Sequence, residues 1–368
     1  MKKLFFSLLA VAAMASCSKS ELAERPNIDG GDVEILAKST ALSISTRAPF
    51  EGSTIDATHN LVAKVWATKS KGDYTGSSTT GSHVPSYNAS FKNTDKMTFV
   101  DANKVGFDAT VSPMYFPADA DEVYLFGLYP YDLLWTASTT SQQTSAQTLI
   151  DGKSDIMVAR QVVASKSKHQ QAIPEYPTLA FEHMLTKLIV KVKANDQAAI
   201  DAWGAITDIT LTGAAGGLRN QMTVECVDGV ASTPLTATYG ISGGSVDPFD
   251  FYQMDMTATP EYTDTAFNGL TPGVDLTTTA TNVAYVLVAP LSTPNTSKDD
   301  FTIEVKTKNH TTAYEVKINL LDATNADYAL STKGKYFEIT LTFKATEIQA
   351  QATVAAWENG GNGGADIQ

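Results

Sequence analysis

The chain has 368 residues and a formal net charge of −13; 18% of its residues are charged and 43% are hydrophobic. This composition supplies enough apolar material for packed cores and too little charge for a disordered chain. The acidic balance and the lack of a basic patch argue against a nucleic-acid partner. The length exceeds that of one typical domain and favours two.

The chain begins with the layout of a bacterial lipoprotein precursor. Lys2 and Lys3 precede an apolar run, residues 4–13, that is too short to span a bilayer. Small residues then lead directly into Cys17. The pattern predicts a signal peptide over residues 1–16, cleavage before Cys17, and attachment of acyl chains such as palmitate to that cysteine. An ordinary secretory signal, in which Cys17 is incidental, is the alternative, and in both cases the chain leaves the cytoplasm.

Only one other cysteine, Cys226, is present, in the strand-like sequence QMTVECV. If Cys17 is lipidated, Cys226 has no disulfide partner within its own chain. It is then either a small buried hydrophobic residue or a site of an intermolecular link. Packing and main-chain pairing must therefore hold this fold together.

The first half of the chain shows short strands separated by polar loops. Residues 18–32 are polar and resemble a flexible tether, and two short extended stretches follow, VEILAK and ALSIST. The next segment, LVAKVWATKS, alternates Leu61, Ala63, Val65 and Ala67 with other side chains. Further strands are predicted at KMTFVD, VYLFGLYPYD and SDIMVARQVV. Residues 69–90 and the Ser, Thr and Gln-rich residues 136–148 are predicted to be loops.

The second half alternates more regularly. The strand LTKLIVKVKA separates an apolar face from a basic one: Leu188, Val190 and Val192 against Lys187, Lys191 and Lys193. The segments ITDITLTGA, MTVECV, AYVLVAP, DFTIEVKT, AYEVKINL and KYFEITLTF follow. One helix is predicted at NDQAAIDAWGAI, near residues 195–206. Alternation of this kind is typical of half-buried antiparallel sheets, so we expect an all-β chain of two sandwiches.

A search for catalytic, cofactor or metal motifs finds none. The five histidines are widely separated, and HExxH, GxSxG and P-loop patterns do not occur. The Gly-rich segment GAAGGLRN, residues 213–220, is better interpreted as a β-turn than as a phosphate-binding loop. His183 lies among apolar residues, which favours a core or interface histidine over a catalytic base. The sequence therefore predicts no enzyme, no metal site and no cofactor.

Two segments, one near each end of the chain, give the clearest indications of function. Arg47 follows an extended stretch and precedes Ala48-Pro49, so it is a natural cleavage site for an extracellular arginine-specific protease, or else a surface arginine at a strand end. At the other end, the sequence alternates Ile348, Ala350, Ala352, Val354 and Ala356 with mostly polar residues. This face of small side chains suits insertion into a groove. The alternative is that the segment is the last edge strand of the chain's own sandwich.

Together these segments resemble the fimbrillin family of Bacteroidales, the subunits of type V pili. The resemblance rests on the lipoprotein start, the Arg47-Ala48 junction, and the segment FEHMLTKLIVKVKA, residues 181–194, preceded by VYLFGLYPYD and SDIMVAR. A C-terminal strand running into WENGG completes it. In chain order these features span nearly the whole sequence.

The resemblance implies two transthyretin-like antiparallel β-sandwich domains with Greek-key-like connections. It implies a signal peptide (1–16), a propeptide with a removable first strand (17–47), an N-terminal sandwich (48–186), a C-terminal sandwich (187–345), and a donor strand with its tail (346–368). It further implies lipid anchoring at the outer membrane, cleavage after Arg47, and filling of the emptied groove by the C-terminal strand of another copy or a related subunit. The assembled product would be an extracellular fimbrium that supports adhesion to a host or bacterial surface ligand.

A monomeric surface lipoprotein that binds a glycan or host protein is the alternative function. Trp135 and Tyr74, on long loops, are candidate contact residues for such a ligand. An extracellular hydrolase is a third class, for which the sequence offers no site.

Overall fold

The computed structural model describes residues 33–39, 61–68, 95–101, 104–107, 115–118, 120–131, 136–137, 145–213, 218–225, 237–242, 248–255, 261–291, 301–318, 320 and 333–356. The first part contains β1 (Lys38–Ser39), β2 (Leu61–Thr68), β3 (Asp95–Asp101), β4 (Lys104–Phe107), β5 (Glu122–Tyr129), β6 (Thr136–Ala137), β7 (Ser145–Leu149), β8 (Met157–Ser165), α1 (Lys166–His169), β9 (Thr178–Leu179) and β10 (Phe181–His183).

The second part begins with β11 (Thr186–Ala194), α2 (Gln197–Trp203), β12 (Ile206–Gly213), β13 (Gln221–Glu225), β14 (Ala237–Gly240), β15 (Phe249–Asp250) and β16 (Tyr252–Asp255). It ends with β17 (Glu261–Ala266), β18 (Thr281–Val288), β19 (Phe301–Thr307), β20 (Tyr314–Ile318), β21 (Lys335–Phe343) and β22 (Ile348–Ala356). Strands dominate, which confirms the all-β expectation.

A six-stranded antiparallel sheet organises the N-terminal part, in the order β10-β8-β5-β2-β3-β4. Ala63, Val65 and Ala67 of β2 are fully buried, as their alternation predicts. They pack with Val123 and Leu125 of β5 against the segment that precedes β2. The N-terminal core therefore includes residues from the start of the chain.

The C-terminal part is a sandwich of a six-stranded sheet, β17-β16-β18-β11-β21-β22, and a four-stranded sheet, β15-β12-β19-β20. Leu188, Val190 and Val192 are buried in the core between the two sheets, as predicted. On the opposite face of β11, Lys191 pairs with Glu338 at 2.7 Å, while Lys187 is fully buried. The Lys187 ammonium donates to the Tyr262 hydroxyl at 3.1 Å, an arrangement that the alternation alone did not predict.

The predicted helix is present as α2. Its N-cap is Asp196, whose carboxylate accepts the main-chain N–H of Ala199 at 2.9 Å, as N-cap residues do. The helix ends at Trp203, whose indole N–H donates to the carbonyl of Lys344 at 2.6 Å. This bond attaches α2 to the turn between β21 and β22.

A further four-stranded sheet joins strands from the two halves of the chain, in the order β14-β13-β7-β6. Its strands β6 and β7 lie wholly or mostly within residues 136–148, so the prediction of a loop there was wrong for both strands. Ala146 and Thr148 are buried in this sheet because β7 pairs with β13, which lies about seventy residues later. Met222 and Val224 of β13 pack with Phe126 and Leu287, which connects this sheet to both halves.

Among the strands that the structure describes, two pairs are parallel, in contrast to the purely antiparallel sheets that the alternation suggested. β11 pairs in parallel with β21 over residues 187–194, and β1 pairs in parallel with β9. Parallel pairs require long crossover connections rather than hairpins, so local sequence patterns do not reveal them. The second of these pairs anchors the N-terminal segment.

Gly127 in β5 should not tolerate a side chain. A Cβ atom there would lie 2.7 Å from Cζ of Phe181 and 3.1 Å from Cβ of Ala159, both buried. We expect Gly127→Ala to lower the free energy of unfolding by about 1–3 kcal/mol, because the packed core must shift. Gly240→Ala is the matched control, since nothing lies within 4 Å of its added Cβ. Chemical denaturation of both variants tests this, and equal stabilities would contradict it.

Candidate assembly site

Residues 33–39 form an extended segment that is held on both sides by other parts of the chain. On one side, the main-chain N–H of Phe116 donates to the carbonyl of Val33 at 2.8 Å, and Glu34 forms an antiparallel bridge with Tyr115. On the other side, the N–H of Lys38 donates to the carbonyl of Pro177 at 2.7 Å, next to the parallel β1–β9 pair. The segment thus lies in a groove between residues 115–116 and 177–179.

One face of this segment completes the N-terminal core. Val33, Ile35, Ala37 and Ser39 are fully buried, and the residues between them are half-buried. The first three pack in the same cluster as β2, β5 and β8. Burying a valine or isoleucine side chain contributes about 1.5–3 kcal/mol, so the segment is held mainly by apolar contact rather than by its few main-chain bonds.

His169, at the end of α1, binds the middle of the segment. Its Nδ1 lies 2.8 Å from the Ser165 carbonyl oxygen, and its Nε2 lies 2.9 Å from the carbonyl oxygen and 3.2 Å from the main-chain nitrogen of Leu36. The neutral ring therefore either donates from Nδ1 to Ser165 and accepts the Leu36 N–H at Nε2, or donates from Nε2 to the Leu36 carbonyl. The rings of Phe116 and Tyr176 pack edge-on against the imidazole, each at 5.0 Å between centroids. His169 is therefore a fully buried side chain that supplies a sheet-like bond to the segment.

The groove is poorly hydrated around this contact. Burial lowers the pKa of His169, and the hydrogen bonds to Leu36 and Ser165 only partly oppose this effect. Burial raises the pKa of Glu34, and burial together with the Glu34 carboxylate raises the pKa of Tyr176. The neutral imidazole is thus the form that the folded chain favours.

Acidification should weaken the hold on the segment. Because the pKa of His169 is lower in the folded chain than in the unfolded chain, the unfolded chain takes up the proton first. The free energy of unfolding therefore decreases as the pH falls below about 6.5. The loss is up to about 1.4 kcal/mol for each unit by which the pKa of His169 differs between the folded and unfolded chain. We expect His169→Phe to have a lower free energy of unfolding than the parent near neutral pH. Its free energy of unfolding should also lack the part of the pH dependence that His169 contributes. Denaturation at about pH 7.5 and about pH 5.5 measures both effects, and an unchanged pH dependence in the variant would contradict the assignment.

The C-terminal strand β22 lies at the edge of the six-stranded sheet of its own chain. It pairs antiparallel with β21 from Phe343↔Ile348 to Lys335↔Ala356, and no strand among the described residues pairs with its other edge. Ile348 is buried in the C-terminal core, Ala352 is half-buried, and Ala350 is exposed. The small-residue face is therefore only partly used within this chain.

The structure describes some of the residues that the sequence analysis named, and others lie outside the described residues. Cys17, Arg47, Ala48 and Cys226 lie outside the described residues, as do Tyr74, Trp135 and the stretch ALSIST. For Val354 and Ala356 the structure gives main-chain pairing only, opposite Phe337 and Lys335. His169 was missed, since nothing in the sequence KSKHQQ distinguishes it from a surface histidine.

His183, which the sequence analysis compared with a catalytic base, lies away from solvent in this structure. His183 is buried and bonded through Nδ1 to Asp155 at 3.1 Å, which agrees with its interpretation as a core histidine. Within the same residues, no group of three or more His, Cys, Asp or Glu side chains is placed to hold a metal ion. None of the described helices has the length and apolar character needed to cross a membrane.

Comparisons with known proteins agree with the resemblance seen in the sequence. Among solved structures, the chain is similar to a candidate cell adhesion protein of Bacteroides uniformis, with 15% identity, 88% of this chain and 99% of the other covered, and a TM-score of 0.48. A fimbrial protein of Bacteroides vulgatus matches at 13% identity over 88% and 99%, with a TM-score of 0.46.

The tip fimbrial protein Mfa3 of Porphyromonas gingivalis, with a C-terminal truncation, matches at 11% identity over 89% of this chain and 100% of the other, with a TM-score of 0.33. No curated protein matches the chain. The family model described as fimbrillin-like matches residues 46–357, which is most of the sequence. The chain therefore belongs to the fimbrillin-like family.

Proposed function

We propose that this chain is a pilus subunit that polymerises at the cell surface by protease-triggered strand exchange. The precursor is lipid-anchored to the outer membrane through Cys17. Cleavage after Arg47 by an arginine-specific protease makes Ala48 the mature N-terminus and releases the preceding segment. The C-terminal strand of another copy then fills the vacated groove, and the growing fimbrium supports adhesion.

The placement of residues 33–39 is the observation that carries this proposal. The segment contributes a fully buried face to the N-terminal core, yet it lies upstream of Arg47 in the sequence. Cleavage at Arg47 would separate it from the body without breaking any strand of the six-stranded sheet. Loss of the segment would expose an apolar groove with unpaired main-chain groups, which favours capture of a new strand.

The family match is consistent with the same division of the chain. It begins at residue 46, next to Arg47, and ends at residue 357, where the proposed donor strand ends. The segment to be removed therefore lies almost wholly outside the matched region.

Limited digestion with an arginine-specific protease tests the proposal. We expect the intact protein to elute as a monomer in size-exclusion chromatography and the digested protein to form ladders or fibres visible by negative-stain microscopy. N-terminal sequencing of the fibres should read from Ala48. A digested protein that remains monomeric would overturn the proposal and favour a monomeric surface lipoprotein that binds a glycan or host protein.

A further inference from the structure

Two segments at opposite ends of the chain share a sequence pattern. Residues 33–40 read VEILAKST and residues 346–353 read TEIQAQAT. The glutamate, the isoleucine, the first alanine and the final threonine are identical between them, at a constant separation of 313 residues. Residues 33–39 of the first segment fill the N-terminal groove, and the second segment includes the start of β22.

The face that the groove buries is matched at all four positions, by identity or by similar size. Ile35 and Ala37 are fully buried and correspond to Ile348 and Ala350. The other two buried positions differ by near-isosteric changes, Val33 to Thr346 and Ser39 to Ala352. The half-buried positions Leu36 and Lys38 both correspond to glutamine. All four buried positions are therefore identical or close in size, whereas the other face keeps Glu34 as Glu347 and loses both Leu36 and Lys38.

We propose that residues 346–352 of a second copy replace residues 33–39 in this register, each residue taking the place of the one numbered 313 lower. This inference rests on the proposed function and specifies its contacts. Ile348 occupies the position of Ile35, Ala350 that of Ala37, and Ala352 that of Ser39. The incoming strand runs parallel to β9, in the direction of the segment that it replaces.

Neighbouring registers with the same face buried fit the groove less well. Moving the donor strand forward by two residues puts Ile348 in the place of Val33 and leaves Ala350 in the place of Ile35, which creates a cavity. The same shift puts Val354 in the place of Ser39, which overfills that position. Moving it back by two puts Thr346 in the place of Ile35 and Ile348 in the place of Ala37. Each shift combines an underfilled position with an overfilled one.

The groove contacts that do not depend on side chains would be reused. His169 binds main-chain atoms of Leu36, so it can bind Gln349 in the same way. Glu347 takes the place of Glu34 beside Tyr115, which keeps a carboxylate there, while Gln351 replaces the charged Lys38. The donor face would also become more buried on transfer. Ala350 is exposed in its own chain, and the position of Ala37 that it would occupy is fully buried.

The register also fixes the spacing between subunits. Only Lys344 and Ala345 separate the last residue of β21 from the proposed donor segment. An extended chain covers about 3.3 Å per residue, so the groove of the acceptor must lie within about 10 Å of the end of β21 in the donor. The turn between β21 and β22 must open for this transfer.

Disulfide trapping between two full-length chains tests the register. One chain carries Thr178→Cys, since Thr178 lies opposite Lys38 in the parallel pair. The other, tagged, carries Gln349→Cys, Gln351→Cys or Thr353→Cys, and both are made in a Cys226→Ser background. After arginine-specific digestion and mild oxidation, we expect the Gln351→Cys crosslink to exceed the other two by about tenfold, as identified by mass spectrometry of the linked peptides.

The outcomes separate the register from the proposed function. A dominant crosslink from Gln349→Cys or Thr353→Cys would overturn the register while supporting strand exchange. Absence of any crosslink and of any fibre would overturn both. Chains that also carry Arg47→Ala should give no crosslink, because the groove stays filled.

A second pair of variants tests the fit without crosslinking. Ala350→Leu should reduce fibre yield at least tenfold, because the position of Ala37 is fully buried, and should leave the thermal unfolding of the uncut monomer unchanged, because Ala350 is exposed there. Gln349→Leu is the matched control, since it restores the residue found at position 36 and should assemble normally. Equal fibre yields from the two variants would overturn the register.

Discussion

Replacing Arg47 with alanine is expected to abolish fibre formation and leave an uncut, monomeric lipoprotein. The reason is that residues 33–39 then stay connected to the body and keep their buried face in the N-terminal core. A donor strand would have to displace a segment held within the same chain, whose effective concentration greatly exceeds that of a separate subunit. Fibre yield by electron microscopy and the size of the protein on denaturing gels measure the effect.

Two further variants show whether cleavage itself is responsible. Arg25→Ala changes the other arginine of the removed segment and should assemble normally, since a cut there would leave residues 33–39 in place. Arg47→Lys should resist an arginine-specific protease, and digestion with a lysine-specific protease should restore assembly. Normal fibres from Arg47→Ala would show that the trigger lies elsewhere in the chain.

The strands that the sequence predicted well are those whose alternation coincides with burial between two sheets. In β11, Leu188 and Val190 face the C-terminal core, and in β21, Phe337 and Ile339 do the same. A period of two is enough to assign these faces, because each strand has a neighbour on both sides and one apolar layer beneath it. The helix α2 was likewise recognisable, because Asp196 is an N-cap residue immediately before it.

The features that escaped prediction depend on partners distant in sequence. β7 has an ordinary polar sequence, and it is a strand because β13 supplies its partner. His169 binds Leu36, 133 residues earlier, and no local pattern distinguishes such a contact. The sequence pointed to ALSISTR, residues 41–47, as the removable strand; that stretch lies outside the described residues, and burial identifies residues 33–39 as an inserted part.

A further large effect is expected from placing a charge on the donor face at Val354. Within its own chain, Val354 lies at the sheet edge opposite Phe337, where one side of the strand has no partner among the described strands. In the register proposed above, Val354 follows Ala352 on the same donor face, and we expect it to lie against the apolar side of the neighbour's groove, where an unpaired carboxylate costs several kcal/mol. We therefore expect Val354→Asp to abolish polymerisation and to leave the uncut monomer folded.

Gln351→Asp is the matched control for this variant, because it adds the same charge to the opposite face of the same strand. It should assemble with at most a modest loss, as its counterpart in the groove is the half-buried Lys38. Fibre yield after arginine-specific digestion and thermal unfolding of the undigested proteins give the two readouts. If Val354→Asp instead unfolds the isolated monomer, β22 is an integral strand of its own sandwich and is not available for donation. The exposure of Ala350 and the half-burial of Ala352 argue for a monomer that stays folded, because Ile348 is the residue of this face that the described part of β22 buries in the core.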